Sequence, residues 1–128
     1  MSDPADPLSW IEIAEEDLQA AQLALKQKKS LNYVACFHAQ QCAEKYLKAL
    51  LVQRGKDFPK VHDLNRIRLL CEAEGIIIPV SPQILEDLSM YAVENRYPGI
   101  PANKQDAQAA LATAKFVRQF ARKILGLK

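Results

Sequence analysis

The sequence contains few glycines and no apolar run long enough to cross a membrane. Only four of its 128 residues are glycine, and no glycine-rich phosphate loop of the Walker or dinucleotide-binding type is present, so any nucleotide would have to be held by side chains. The apolar runs are shorter than the roughly 18 residues of a membrane span, and the acidic N-terminus lacks the apolar core of a signal peptide. These absences predict a soluble, cytoplasmic protein without membrane contacts.

The cysteines and histidines form no pattern typical of a metal site. The three cysteines include no CxxC pair, and neither histidine stands at a metal-ligand spacing from them. Cys36 and Cys42 lie too far apart on one helix to form a disulfide. We therefore expect free, mostly buried thiols in a reducing cytosol, and neither a metal nor another cofactor.

The sequence also lacks the alternating apolar and polar residues of a half-buried strand. The run at 76–80 resembles a strand locally, but it contains Pro79 and has no second strand to pair with. Composition is 49% hydrophobic and 25% charged, which suits one helical domain over residues 1–128, with 1–7 as a flexible arm. The predicted fold is all-α, an up-and-down four-helix bundle with one additional short helix.

Capping residues and helix breakers place the five predicted helices. The first starts at Asp6 and Pro7, or at a competing box of Ser9 and Glu12, and the second is the longest. Glycines end the second, third and fifth helices, while Pro98 ends the fourth. The predicted ranges are roughly 7–28, 31–54, 62–75, 81–95 and 103–126.

The second predicted helix, residues 31–54, is the one around which the others are organised. Apolar or small side chains surround most of it, so we expect a homodimer that uses surfaces of the second or fourth helix to cover what the bundle cannot. Four polar residues lie within an arc of roughly 80° and form what we call the polar edge: His38, Gln41, Lys45 and Lys48. This edge is the leading candidate site.

Four motifs in a fixed order resemble the HEPN domain family (higher eukaryotes and prokaryotes nucleotide-binding) over roughly residues 8–125. They are WIEIAEEDLQAA, ACFHAQQCAEKYLKALLVQRG, FPKVHDL and RYPG before a final Ala-rich helix. The resemblance implies a helical bundle, usually a homodimer, that binds a nucleotide or RNA. It also implies a partner, a small nucleotidyltransferase encoded nearby, in a toxin–antitoxin-like pair.

The ribonuclease motif of many relatives is missing. Those proteins carry an Arg followed four to six residues later by His, whereas no His follows Arg96 here and Arg54 precedes His62 by eight positions. The RYPG type of domain therefore fits binding better than cleavage, and we assign no catalytic residue. Two alternatives stay open: a metal-independent endoribonuclease toxin using His38, His62 or Arg96, and a structural interaction module.

Phosphate binding needs positive charge and N–H donors, which Lys45, Lys48 and Arg96 can supply. Lys45 and Arg96 are predicted to form a shared anion site. A base needs an apolar face and a polar edge, which Tyr97 and Gln41 can offer, and His38 can donate a hydrogen bond or a proton. Each residue also has a structural explanation, such as Lys48 pairing with Glu44 one turn away. Two secondary candidates, His62 and Asp63, precede a helix, where capping is the more common role.

Overall fold

The computed structural model describes residues 3–92, Pro98 and residues 102–128. Five α-helices occupy these ranges, and no strand occurs among the described residues, which confirms the all-α prediction. In chain order the helices are α1 (Pro7–Lys26), α2 (Asn32–Gln53), α3 (Leu64–Ala73), α4 (Pro82–Ser89) and α5 (Lys104–Ile124).

The helix starts follow the capping residues read from the sequence. The Asp6 carboxylate accepts a hydrogen bond from the Leu8 backbone N–H, and Ser81 Oγ accepts one from Ile84, with a proline in the first turn of each helix. Asn103 and Asp106 bond reciprocally at the start of α5, which makes a capping box. Such caps satisfy N–H groups that have no partner inside the helix.

The fourth helix is shorter than predicted. α4 ends at Ser89, and a turn follows at Met90 and Tyr91, whereas the expected end at Asn95 lies outside the described residues. Tyr91 continues the apolar spacing that suggested a longer helix. In the structure its ring packs edge-on against the Tyr33 ring, with centroids 5.9 Å apart. A turn can place such a side chain against the core as well as a helix does.

α2 runs through the centre of the bundle, with α1 and α5 packed along it and α3 and α4 completing the cover. Fourteen of its 22 residues are buried. No large apolar side chain is exposed between Asn32 and Gln53, whereas Leu31, the first residue of the predicted helix, is 50% exposed. Elsewhere among the described residues, the exposed large apolar side chains include Leu23 on α1, Ile84 on α4 and Phe116 on α5.

All three cysteines are free and buried, as predicted. Burial raises the pKa of the Cys36 thiol to about 11 and that of the Cys42 thiol to about 12, so both side chains behave as small apolar groups. Across the described residues, no helix has both the length and the apolar character that crossing a membrane would require.

Candidate anion-binding site

A fully buried carboxylate, Glu44, lies at the centre of the polar cluster on α2. Its Oε1 is 2.8 Å from His62 Nδ1 and accepts a hydrogen bond from Gln40 Nε2 at 3.2 Å. Its Oε2 accepts from Lys48 Nζ at 3.0 Å and from Lys45 Nζ at 3.4 Å. Four side chains thus converge on one carboxylate, and we call these five residues the Glu44 cluster.

The charges in the Glu44 cluster keep its central carboxylate ionised. Burial opposes ionisation of Glu44, but the positive charges of Lys45 and Lys48 outweigh it, so the pKa of Glu44 lies below its usual value. A buried carboxylate in this state stays negative at neutral pH. It therefore holds the lysines and the imidazole in fixed positions.

A chain of amides extends the Glu44 cluster along the helix. Gln41 Nε2 donates to Gln40 Oε1 at 2.7 Å, and Lys45 Nζ donates to Gln41 Oε1 at 2.9 Å. Gln40 Nε2 also donates to the backbone carbonyl of His62 at 3.0 Å, which fixes the loop before α3 against α2. Lys45 is thus held by both Glu44 and Gln41, and its ammonium has a defined place at the surface of the cluster.

Lys48 faces the interior of the molecule. Its Nζ lies 5.5 Å from the centroid of the Phe58 ring and 6.0 Å from that of Trp10, so two aromatic rings as well as Glu44 surround the ammonium. The Lys48 side chain is only 6% exposed, compared with 16% for Lys45. The prediction that Lys48 pairs with Glu44 is confirmed.

His38, at the far end of the polar edge, has a partner on α1. Its Nδ1 lies 2.8 Å from Asp17 Oδ1. Burial raises the pKa of Asp17, and the hydrogen bond from His38 and the charge of Lys45 only partly oppose that rise. Each of the two histidines in the chain is therefore oriented by a carboxylate through Nδ1.

The structure unites some of the predicted site residues and separates others. Gln41, Lys45 and Lys48 join the Glu44 cluster directly or through one hydrogen bond, whereas His38 pairs with Asp17. His62 also enters the cluster. Asp63 caps α3 by accepting from the Asn65 N–H at 2.9 Å, so the capping role predicted for it is confirmed. The remaining two candidates, Arg96 and Tyr97, lie outside the described residues.

Sequence reasoning missed Gln40 and Asp17, and it named Glu44 only as the partner of Lys48. The signal for Gln40 and Glu44 was present, because Gln40, Glu44 and Lys48 recur every four residues and so share one face of a helix. The Asp17 pairing joins α1 to α2 and needed the packed structure. Among the described residues, no group of three or more His, Cys, Asp or Glu side chains is arranged to hold a metal ion.

A second polar cluster joins α1, α2 and α5 through Glu15, Tyr46 and Arg118. Arg118 donates to both oxygens of Glu15, at 2.7 and 3.0 Å, and Tyr46 Oη donates to Glu15 Oε2 at 2.5 Å. The hydrogen bond from Arg118 holds the pKa of Glu15 below its usual value, while burial and Glu15 raise the pKa of Tyr46 to about 12. These groups satisfy one another, and they fix α5 to the other two helices.

The fold and the Glu44 cluster define a small α-helical bundle whose central helix carries a buried, fully paired polar site. The model of the HEPN domain matches residues 8–124. The chain therefore belongs to the HEPN family, which confirms the resemblance seen in the sequence and relates the chain to nucleotide- and RNA-associated helical proteins.

Two further comparisons bear on this assignment. The crystal structure of an archaeal HEPN homologue is similar to this chain with a TM-score of 0.66 and 24% sequence identity, over 92% of this chain and 96% of that one. At this identity the likeness concerns the fold. The comparison with curated proteins gave no match.

Proposed function

We propose that this protein binds the phosphate groups of a nucleotide or of RNA at the polar edge of α2. The observation that carries the proposal is the Glu44 cluster, in which one buried carboxylate fixes the positions of Lys45, Lys48 and His62. Donors that are already fixed lose little entropy when a ligand binds, so they favour a phosphate more than mobile surface lysines do.

The side chains of the site differ in their exposure to solvent and therefore have different roles in this proposal. The side chains of His62 and His38 are 32% and 29% exposed, and Lys45 is also within reach of solvent, whereas Lys48 is almost completely covered. Lys45 and the two histidines are the groups that contact the ligand in this proposal. Lys48 supports them from inside by neutralising Glu44.

The charges and hydrogen-bond donors of the site suit an anion. Lys45 and Lys48 offset the two carboxylates, Glu44 and Asp17. In this proposal, a phosphate at the polar edge accepts hydrogen bonds from the Lys45 ammonium and from an imidazole N–H.

The proposal includes the partners that the family resemblance implies. A homodimer would place two polar edges in one particle, and a small nucleotidyltransferase would be the functional partner in a toxin–antitoxin-like pair. Arg96 and Tyr97 are proposed to complete the site next to Lys45, Arg96 through a guanidinium suited to two phosphate oxygens and Tyr97 through its ring. The RYPG motif that contains both residues supports this part of the proposal.

The test is a titration of ATP, GTP and a short RNA into wild type, Lys45→Glu and Arg96→Glu, with thermal melts alongside. Charge reversal at Lys45 should weaken binding strongly, since a hydrogen bond to a charged group contributes about 1.5–3 kcal/mol and reversal adds repulsion. Lys28→Glu is the matched control, because Lys28 is exposed in the loop after α1. Equal binding by Lys45→Glu and Lys28→Glu would show that the cluster is purely structural.

A metal-independent endoribonuclease is the second candidate, and one observation favours it. His62 is oriented by Glu44 and His38 by Asp17, each at 2.8 Å through Nδ1, which is an arrangement suited to general acid–base chemistry. Incubation of labelled RNA with the protein in EDTA tests this candidate. Cleavage that disappears in His38→Ala or His62→Ala would favour it over binding alone.

A further inference from the structure

An aromatic cavity lies beside the Glu44 cluster, between the start of α1 and the loop that follows α2. Its volume is about 440 Å³, which falls within the range of about 300–1,000 Å³ typical of small-molecule sites. Its lining includes Asp3, Pro4, Trp10, Lys56, Asp57 and Phe58. None of them belongs to the polar edge, so the cavity is a separate feature of the surface.

Two aromatic side chains form a fixed wall of this cavity. The Trp10 and Phe58 rings meet edge-to-face, with centroids 5.5 Å apart and an interplanar angle of 70°. Trp10 Nε1 donates to the Pro4 carbonyl at 2.9 Å, which fixes the indole and satisfies its only polar group. Both side chains are partly exposed, so flat aromatic surface remains available to a ligand.

The charged residues at the cavity favour a group that donates hydrogen bonds. Asp3 Oδ1 already accepts from the Ala5 N–H at 2.9 Å. The exposed Asp57 carboxylate, in contrast, has no hydrogen bond or ion pair with any described part of the chain. Among the described lining residues, Lys56 is the only cation. Its side chain is 54% exposed, and its Nζ lies 3.8 Å from Glu74 Oε2.

We propose that this cavity binds one nucleobase of the nucleotide or RNA ligand, a step that rests on the proposed function. The base stacks on Trp10 and Phe58, and its N–H edge donates to Asp57. Guanine fits best, since its N1–H and amino group are adjacent donors for the two oxygens of a carboxylate. Uracil offers a single ring N–H at that edge.

Lys48 joins the two sites. Its ammonium lies within 6.0 Å of both aromatic centroids on one side and 3.0 Å from Glu44 Oε2 on the other. The wall of the cavity is therefore also the cover of the Glu44 cluster. A nucleotide with its base in the cavity has its phosphate near the cationic side of α2.

Fluorescence tests the base site directly, because Trp10 is the only tryptophan in the chain. Guanosine, GMP and uridine are titrated into the full chain and its variants. Guanosine and GMP should quench Trp10 saturably, and Phe58→Leu should weaken both by about tenfold or more through lost stacking. Asp57→Asn should weaken guanosine more than uridine, while the matched control Asp87→Asn on α4 leaves both unchanged.

Two results separate this inference from the proposed function. Lys45→Glu should leave guanosine quenching unchanged, since guanosine has no phosphate, and should weaken GMP. Calorimetric binding of GMP without any change at Trp10 would overturn the base site and leave the phosphate site standing. Absence of GMP binding by both methods would overturn both, and equal quenching in wild type, Phe58→Leu and Asp57→Asn would show that the cavity does not hold the base.

Discussion

Replacing the carboxylate of Glu44 by an amide should strongly destabilise the protein. Glu44→Gln keeps the size of the side chain and one oxygen acceptor, but it removes the negative charge that faces two ammonium groups at 3.0 and 3.4 Å. Lys48 cannot turn to solvent easily, because its side chain is 6% exposed and lies against two aromatic rings. The substitution thus leaves a buried positive charge without its partner.

The expected cost follows from the burial. Breaking a buried ion pair on one side typically costs about 3–5 kcal/mol. For a chain of 128 residues, each kcal/mol corresponds to about 3–5 °C in melting temperature, so Glu44→Gln should melt roughly 10–20 °C below wild type. Urea unfolding followed by circular dichroism gives the free energy, and a thermal melt gives the temperature.

A matched control and a double variant isolate the cause. Glu72→Gln makes the same change in a pair one helical turn apart, Arg68 and Glu72 at 2.8 Å, where both side chains are less buried, and it should cost about 1 kcal/mol or less. Adding Lys48→Met to Glu44→Gln removes the stranded ammonium and should recover a large part of the loss. A cost below about 1 kcal/mol for Glu44→Gln would refute the reasoning about burial.

Three further predictions concern acid, RNA and assembly. The pKa values of Glu44 and Glu15 lie below that of an ordinary glutamate, so at acid pH the folded state binds fewer protons than the unfolded chain. Stability should therefore fall as the pH drops below about 4.5, and it should fall less steeply in Glu44→Gln. Labelled RNA incubated with the protein in EDTA should stay intact, because the Arg and His pair of ribonuclease relatives is absent; cleavage lost in His38→Ala or His62→Ala would contradict this. Light scattering at micromolar concentration should give a dimer mass, and a clean monomer mass would count heavily against the homodimer.

Local signals in the sequence were enough for the helix starts and for most helix ends. Capping residues such as Ser81 and Asn103 and the glycines at 55 and 75 act within a few residues, so they determine where a helix begins or stops without reference to the rest of the fold. The end of α4 was misplaced for the opposite reason. Tyr91 continues the apolar pattern of the helix, but it is part of a turn that packs on Tyr33.

The candidate site was predictable in part. Helical geometry correctly placed Gln41, Lys45 and Lys48 along one side of α2, because residues three and four apart share a face. It could not show that Glu44 lies at their centre. That required the loop carrying His62 to fold back on α2, and contacts between residues 18 positions apart do not follow from periodicity.

Hydrogen bonding within the described part of the chain explains how α2 can be both the core and the candidate site. Among the described residues, every buried side-chain nitrogen and oxygen has a hydrogen-bond partner, so the polar residues of α2 do not weaken the centre of the bundle as unpaired groups would. The two lysines of the polar edge lie at different depths, so we expect them to have different roles. Lys48, covered by Trp10 and Phe58, should affect mainly stability when it is replaced, whereas Lys45, at the rim, should affect mainly binding. A purely structural ion cluster would show no such separation, because both lysines would then change the melting temperature and neither would change the affinity for phosphate.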